Sequence, residues 1–229
     1  MLIVNTDSTL AERSGNGLTI FAQSLTDTGL IDAGESFTLH VHHDNADSAS
    51  PQPTQVVPAV VNDVSGGLFD AAMLDTVSGL DCHYVCGHLR GTSIREVHAQ
   101  AKSPSFEEVA RELGARLGQM APSLRAKTLL DPCLGFGKGL AANLELSRRA
   151  GQLSQRHGLP VLIGPSRKRF LGELTGRDAS GRDAATIGAC LAAVQAGAHM
   201  LRVHDVASTV DALRVYLAVQ EVAASERYV

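Results

Sequence analysis

A carboxylate and two glycines stand together directly after an apolar run in the middle of the chain. Asp131 follows Leu129 and Leu130, and Gly135 and Gly137 lie in the turn behind it. A carboxylate accepts two hydrogen bonds from a planar ligand with neighbouring N–H groups, and glycines let the backbone pass close to that ligand. Taken alone, the stretch is more commonly an Asp-Pro turn before a helix. The pattern still makes Asp131 a candidate for binding a flat heterocycle.

Three further side chains have the chemistry to bind an anion. Ser166 follows the apolar run 161–163, and Arg202 and His204 lie two positions apart in the run 200–205. Alternate residues of a strand point the same way, so Arg202 and His204 face either one shared site or solvent. A hydroxyl, a guanidinium and an imidazole together suit a phosphate group.

A second group of side chains suits a neutral heterocycle. Asn62 and Lys168 follow apolar runs, as Asp131 does. An amide, a carboxylate and an ammonium group match a ring that is rich in nitrogen and bears a carbonyl. Taken singly, Asn62 is typical of a turn, and Lys168 beside Arg167 is typical of a solvated basic face.

Apolar runs alternate with helical patterns along most of the chain, and this order must position the polar side chains. The runs that predict strands are 2–4, 30–31, 60–61, 84–86, 129–130, 161–163 and 200–205. Helical periodicity covers 16–28, 69–79, 104–120, 141–156, 183–196 and 208–224, with Ser103 as the expected cap of 104–120 and Ser208 or Thr209 as that of 208–224. The alternation predicts an α/β fold, a parallel sheet closed as a TIM-type (β/α)8 barrel in one domain over residues 1–229. The carboxyl ends of barrel strands meet at one mouth.

The alternation is broken between residues 30 and 58. The run 37–42 follows the run 30–31 after only a few residues, whereas a parallel crossover needs about a dozen. Three prolines then lie within 51–58, which favours a loop. The barrel is therefore expected to be irregular or incomplete around residues 30–58.

Composition excludes several classes of protein. The 229 residues carry a net charge of −4 with acids and bases interspersed, so no basic surface for nucleic acid is expected. The apolar runs are too short to span a membrane, and no signal segment opens the chain. The four cysteines lack the spacing of a zinc site or a disulfide framework. We expect a cytoplasmic protein without nucleic-acid or membrane partners.

Four ordered segments resemble the dihydropteroate synthase family of folate biosynthesis. They are 62–66 (Asn-Asp-Val-Ser-Gly), 131–138 (Asp-Pro-Cys-Leu-Gly-Phe-Gly-Lys), 164–168 (Gly-Pro-Ser-Arg-Lys) and 202–206 (Arg-Val-His-Asp-Val). Cys133 stands where the family has a glycine. The resemblance implies a transferase that condenses 6-hydroxymethyl-7,8-dihydropterin pyrophosphate with p-aminobenzoate to give dihydropteroate and pyrophosphate. It also implies Mg²⁺ as cofactor and a homodimer formed through the later helices.

The same resemblance implies roles for individual residues. By the family pattern the pterin site contains Asp44, Asn62, Leu89, Asp131, Phe136, Gly164 and Lys168. Arg202 would lie against the ring, while Ser166 and His204 would hold the departing pyrophosphate. Asn5 would do so too, beside the Mg²⁺ ion. Lys168, Arg202 and His204 would be the catalytic residues, because fixed cations and donors stabilise charge on the leaving oxygens.

The first third of the chain departs from the family pattern. The segment 5–9 lacks the proline and phenylalanine of the family's first loop, and the Thr-Arg-Pro-Gly loop expected after 30–36 is missing. In the family these loops close over the pyrophosphate and shape the p-aminobenzoate site. The alternative is therefore a non-catalytic or repurposed pterin-binding homologue that has lost the loops needed for turnover.

Two other classes of barrel enzyme share part of this sequence pattern. A folate-dependent methyltransferase of the same fold would share the Asn and Asp contacts to the pterin but needs no anion site. A barrel metallohydrolase would draw ligands from the segment 40–44 (His-Val-His-His-Asp). A polar strand edge explains that segment more simply.

Overall fold

The computed structural model describes residues 60–99 and 102–225. In chain order its elements are β1 (Val60–Asp63), α1 (Met73–Ser78), β2 (His83–Gly87), α2 (Ile94–His98), α3 (Phe106–Leu117), α4 (Pro122–Ala126), β3 (Thr128–Asp131), α5 (Leu140–Arg148), α6 (Ala150–His157), β4 (Leu162–Ile163), α7 (Arg169–Thr175), α8 (Asp183–Gln195), β5 (Met200–Leu201) and α9 (Val206–Ser225). The elements expected before residue 60, with the irregular stretch 30–58, lie outside the described residues.

The strands are parallel and form two sheets. One sheet has the order β1-β2-β3 and the other pairs β4 with β5. Within the described chain, an isolated bridge between Leu130 and Val161 connects the two sheets, and Leu130 N donates to Pro160 O at 2.9 Å. Since all strands run the same way, their carboxyl ends lie on one side of the molecule.

The sheet is buried because helices cover it. Tyr84, Val85 and Cys86 of β2 and Leu130 of β3 have no exposed surface. Helix α3 supplies one continuous buried face with Phe106, Val109, Ala110, Leu113 and Leu117, the 3.6-residue stripe expected from the sequence. Near-continuous apolar strands under helices are the pattern of a parallel α/β layer.

Helix α3 begins later than the sequence indicated, and its cap is Ser105 rather than Ser103. The Ser105 hydroxyl accepts from the backbone N of Glu108, and the Glu108 carboxylate accepts from the backbone N of Ser105. This reciprocal capping box requires a glutamate three residues after the serine, which Ser103 lacks. Ser103 instead accepts a hydrogen bond from Gly139 N at 2.8 Å.

The helix expected over 141–156 is divided into α5 and α6 at Arg149, which has φ −108°. Gly151 N does not continue the helical pattern but donates to Ala196 O at 2.7 Å, at the end of α8. A Cβ on Gly151 would lie 2.8 Å from Ala196 O. The break therefore follows from a close backbone contact between two helices, which sequence periodicity does not reveal.

The last strand is shorter than expected. It ends at Leu201 rather than at residue 205, although Arg202 N still donates to Ile163 O at 3.1 Å. Helix α9 then begins at Val206, and Asp205 Oδ1 accepts from Ser208 N at 3.0 Å. The capping side chain is thus Asp205, not Ser208 or Thr209, because its carboxylate lies three residues before a free helical N–H.

Three short helices, α2, α4 and α7, were not expected from periodicity, since each has fewer than eight residues.

Among the described residues, no helix has the length and apolar character needed to cross a membrane.

Candidate active site

The carboxyl ends of β1 and β3 meet Arg202, which follows β5. Arg202 Nη1 lies 2.9 Å from Asn62 Oδ1 and 2.8 Å from Asp131 Oδ2. Asn62 is 5% exposed and Asp131 is 1% exposed. Burial lowers the pKa of Arg202, but the charge of Asp131, the charge of Cys133 and the hydrogen bond to Asp131 together hold the pKa above its usual value. Three of the expected site residues are therefore in direct contact.

The two carboxylate oxygens of Asp131 have different partners. Oδ1 accepts from Cys133 N at 2.7 Å, which fixes the side chain against its own loop. Oδ2 is buried and accepts no well-aligned hydrogen bond from the described residues, although Arg202 neutralises it. A buried oxygen without an aligned donor is costly, so this atom is suited to accept from a ligand.

Lys168 lies over the loop that follows Asp131. Its Nζ is 4.3 Å from the centre of the Phe136 ring, and burial lowers the pKa of its ammonium group. Gly135 has φ +86°, and a Cβ there would lie 3.2 Å from Lys168 Cδ. The glycine thus serves both the left-handed turn and the passage of the lysine side chain.

Gly164 makes room for the guanidinium group. A Cβ at this position would lie 2.8 Å from Arg202 Nη2. With any larger residue here, the end of the Arg202 side chain would have to shift. Glycine at position 164 therefore leaves the space that the Arg202 guanidinium fills.

Ser166 and His204 form a pair beside this group. Ser166 Oγ lies 2.8 Å from His204 Nδ1 and also accepts from His204 N at 3.2 Å. Ser166 is buried and His204 is exposed. A buried hydroxyl and an exposed imidazole at neighbouring strand ends can donate to an anion.

Leu89 and Phe136 lie in a small apolar cluster below the loop. Leu89 is fully buried with Val64, Val97 and Cys133, and Phe136 packs against them while remaining partly exposed. Of the two, Phe136 therefore has surface to offer a ligand, whereas Leu89 supports the floor beneath it.

The first expected site residues, Asn5 and Asp44, lie outside the described residues, as does the histidine segment 40–44. Within the described part of the chain, no group of three His, Cys, Asp or Glu side chains has the arrangement of a metal site.

The sequence matches the family model described as pterin binding enzyme over residues 52–204. The chain belongs to the pterin-binding enzyme family.

Its relatives carry the names of folate enzymes. It is 37% identical over 169 residues to a folate synthesis bifunctional protein of Arabidopsis thaliana, covering 68% of this chain and 35% of that protein. It is 31% identical over 171 residues to Escherichia coli dihydropteroate synthase, covering 74% of this chain and 60% of that enzyme.

The likeness extends to solved structures. Dihydropteroate synthase from Xanthomonas albilineans, in complex with 7,8-dihydropteroate, matches with a TM-score of 0.62 at 40% identity, covering 70% of this chain and 60% of that one. The resemblance predicted from the four motifs is confirmed, and the structural match implies a TIM-barrel fold. The chain spans less than two thirds of the length of each of these relatives.

Three buried polar residues support the site of this family member but were not singled out from the sequence. Asp63 accepts from Ser65 N at 2.8 Å, Gly67 N at 2.6 Å and Tyr84 Oη at 2.8 Å. Burial raises the pKa of Tyr84, and the charge of Asp63 raises it further. These contacts hold the segment after β1 in a fixed turn beside Asn62.

Arg116 is the second. It donates from Nη1 to Ser65 O at 2.7 Å and to Gly87 O at 2.6 Å, and from Nη2 to Leu89 O. It thereby ties the ends of β1 and β2 to α3. The available signal was its position three residues after Leu113 on the apolar stripe, where a charged residue is unusual.

Lys138 is the third, and it closes the pterin-family segment 131–138. Its Nζ donates to the backbone oxygens of His88 (3.1 Å), Cys133 (3.1 Å) and Phe136 (3.0 Å). The motif drew attention to the segment but not to this buried ammonium group.

Proposed function

We propose that this protein is a dihydropteroate synthase, a transferase that joins 6-hydroxymethyl-7,8-dihydropterin pyrophosphate to p-aminobenzoate in folate biosynthesis. The observation that carries the proposal is the contact of Arg202 with both Asn62 and Asp131 at the strand ends. Family membership and the named relatives support it.

The pterin ring would replace Arg202 at its two acceptors. Asp131 Oδ2 and Asn62 would accept from and donate to the ring edge, and Lys168 Nζ would donate to a ring nitrogen or to the carbonyl oxygen. Phe136 would cover part of one face of the ring, with Leu89 and Gly164 shaping the floor and the wall. Asp44, outside the described residues, would complete the contacts.

Ser166, Arg202 and His204 would bind the pyrophosphate. In the reaction the bond between the pterin's exocyclic methylene carbon and the pyrophosphate oxygen breaks, and pyrophosphate leaves with the bonding electrons. The amine nitrogen of p-aminobenzoate bonds to that carbon and loses a proton to water. Negative charge develops on the leaving oxygen. The guanidinium of Arg202 and the Ser166–His204 pair stabilise it, because fixed donors are most effective where charge accumulates.

We also propose Mg²⁺ as the counter-ion of the pyrophosphate. The described site offers cations and hydroxyl donors rather than a carboxylate cluster, so the protein's own share of the ligands would be small. Mg²⁺ is commonly bound by one or two protein oxygens with substrate phosphates and water. Asn5 is the proposed protein ligand, and the ion would supply charge neutralisation.

For the whole molecule we propose a single irregular barrel that acts as a homodimer in the cytoplasm. Leu144 and Leu174 are exposed beside a cavity of about 540 Å³ between α5, α7 and α8, and Val215, Leu217 and Val219 are exposed on α9. Apolar surface of this kind supports association with a second copy. The four free, buried cysteines suit a reducing compartment.

A second candidate function is pterin binding without turnover. The observation that favours it lies in the sequence, where the segment 5–9 and the region after 30–36 lack the family's two closing loops. This protein would keep the pterin contacts but would not close over the pyrophosphate.

The test is release of pyrophosphate from 6-hydroxymethyl-7,8-dihydropterin pyrophosphate with Mg²⁺, with and without p-aminobenzoate, with parallel detection of dihydropteroate. Sustained release that depends on p-aminobenzoate and yields dihydropteroate supports the synthase. Pterin binding without release supports the second candidate. Absence of pterin binding overturns both.

A further inference from the structure

Lys138 is a buried cation whose hydrogen bonds all go to the backbone. Only 6% of the residue is exposed, and its Nζ lies between 3.0 and 3.1 Å from three carbonyl oxygens, those of His88, Cys133 and Phe136. An ammonium group has three donors. All three are therefore used on two separate segments of chain.

The loop 133–137 is shaped around this ammonium group. Cys133, Gly135 and Gly137 have φ of 50°, 86° and 64°. This left-handed backbone turns the carbonyls of residues 133 and 136 inward onto Nζ. On its other side the loop is held by Asn143, whose Oδ1 accepts from Gly135 N at 2.7 Å.

Two residues whose carbonyl oxygens accept from Lys138 Nζ also contact residues of the candidate site. His88, whose carbonyl accepts from Nζ, donates from its own N to Asp131 O at 3.0 Å. Phe136, whose carbonyl also accepts from Nζ, has its ring beneath Lys168. Losing the ammonium group would therefore remove one support of the segment that bonds Asp131 O and one support of the backbone that carries the Phe136 ring.

Burying a cation at this position costs more free energy than burying an apolar side chain. Burial lowers the pKa of Lys138 to about 8, which records how strongly the surroundings disfavour the charge. An apolar side chain of the same length would fill the volume without that penalty. The ammonium group is thus explained by what its three bonds hold in place.

We propose that Lys138 is a positioning residue of the pterin site, which sets the loop 133–137 and the end of β2 at the spacing that Asp131 and Phe136 need to bind the ring. It acts through these two residues and has no contact with the ligand. The inference rests on the proposed function.

The test compares Lys138→Met with Leu153→Ala by titrating 6-hydroxymethyl-7,8-dihydropterin and following its fluorescence. Leu153 is a buried residue of α6 and makes none of the three hydrogen bonds of Lys138, so its truncation destabilises the fold and leaves those bonds in place. Both variants are measured at a temperature where circular dichroism shows them folded. Lys138→Met is expected to weaken binding about 10-fold or more, as small misplacements of binding groups do, whereas Leu153→Ala is expected to bind as the unaltered protein does.

Lys138→Gln covers the case in which the methionine variant does not fold. Its amide keeps two donors, so we expect an affinity between those of the unaltered protein and the methionine variant. Equal pterin affinity in a folded Lys138 variant and the unaltered protein would overturn the inference alone. If the unaltered protein binds no pterin, the proposed function fails, and the positioning role fails with it.

Discussion

Arg202 occupies the hydrogen-bond acceptors that a pterin would need. One of its nitrogens lies 2.9 Å from Asn62 Oδ1 and 2.8 Å from Asp131 Oδ2, so the guanidinium neutralises the buried carboxylate without an aligned hydrogen bond to Oδ2. A ligand that donates to these oxygens must first displace the guanidinium. Arg202 is thereby both a competitor of the ring and a proposed partner of the pyrophosphate.

Replacing Arg202 by methionine is expected to separate these two roles. Affinity for 6-hydroxymethyl-7,8-dihydropterin should rise about 5-fold, because a net hydrogen bond of about 1 kcal/mol no longer has to be broken. Affinity for the pyrophosphate ester should fall, because its charge loses a partner. Calorimetric titration with both compounds gives the result, and weaker binding of both would contradict the competitor role.

Cys133 has a backbone conformation that favours glycine. Its φ is +50° and its side chain is fully buried. We expect Cys133→Gly to be more stable than Cys133→Ala by about 1 kcal/mol, because alanine keeps the left-handed strain while losing the sulfur. Urea unfolding of the two variants measures this difference. The opposite order would mean that the loop relaxes away from this conformation.

At the residue scale, the sequence predicted that the side chains at the strand ends lie together, but not which buried residues hold those strand ends in place. Asn62, Asp131 and Arg202 could be named because strand ends in a parallel fold converge. Arg116 and Lys138 could not be assigned their roles, because each acts through backbone carbonyls that become neighbours only in the folded chain.

The helices are set by backbone contacts as much as by periodicity. Gly151 and Gly197 approach so closely that a Cβ on Gly197 would lie 2.9 Å from Gly151 Cα. This contact accounts for the division between α5 and α6. Periodicity correctly predicted the buried face of α3 but not this break, since it rests on a tertiary hydrogen bond from Gly151 N to Ala196 O.

Gly151→Ala is expected to destabilise the protein by about 1–3 kcal/mol, the usual effect of overpacking. Gly188→Ala is the matched control, because Gly188 is in α8 and a Cβ there meets nothing within 4 Å. It should gain up to about 1 kcal/mol from helix propensity. Thermal and urea unfolding of both variants check this, and similar effects in the two would refute the contact argument.

The end of β2 carries a buried histidine that makes stability depend on pH. Burial lowers the pKa of His88, and the charge of Lys138 lowers it further, while His88 Nε2 lies 2.9 Å from Glu112 Oε2. Below pH 6.5 an unfolded histidine takes up a proton that the folded one does not. Stability from this group is therefore full above pH 6.5 and is lost as pH falls.

His88→Gln should flatten this dependence between pH 7 and pH 5. The slope removed is at most about 1.4 kcal/mol per pH unit. His83→Gln, at an exposed position of the same strand, is measured in parallel as the control for exchanging a histidine for glutamine. Unfolding by urea at several pH values gives both slopes, and parallel curves for His88→Gln and the unaltered protein would refute the assignment.

On the scale of the whole molecule, the apolar surface over α5, α7 and α8 is the feature that a second copy would cover. Leu174→Glu places a charge at a residue that is 55% exposed beside the cavity. We expect it to convert a dimer to a monomer without unfolding it, as seen by analytical ultracentrifugation. Leu68→Glu, exposed on another segment, should leave the dimer intact, and a monomeric unaltered protein would refute the proposal.

The division into two sheets has a further consequence. Asn62 and Asp131 end the strands of one sheet, whereas Lys168 and Arg202 follow the strands of the other, and the two-residue strands β4 and β5 have few ladder bonds of their own. A bound pterin would connect both halves, and its binding energy would oppose their local separation. Amide exchange in β4 and β5 would then slow with occupancy. The protein would therefore resist proteolysis more strongly as the concentration of its own substrate rises.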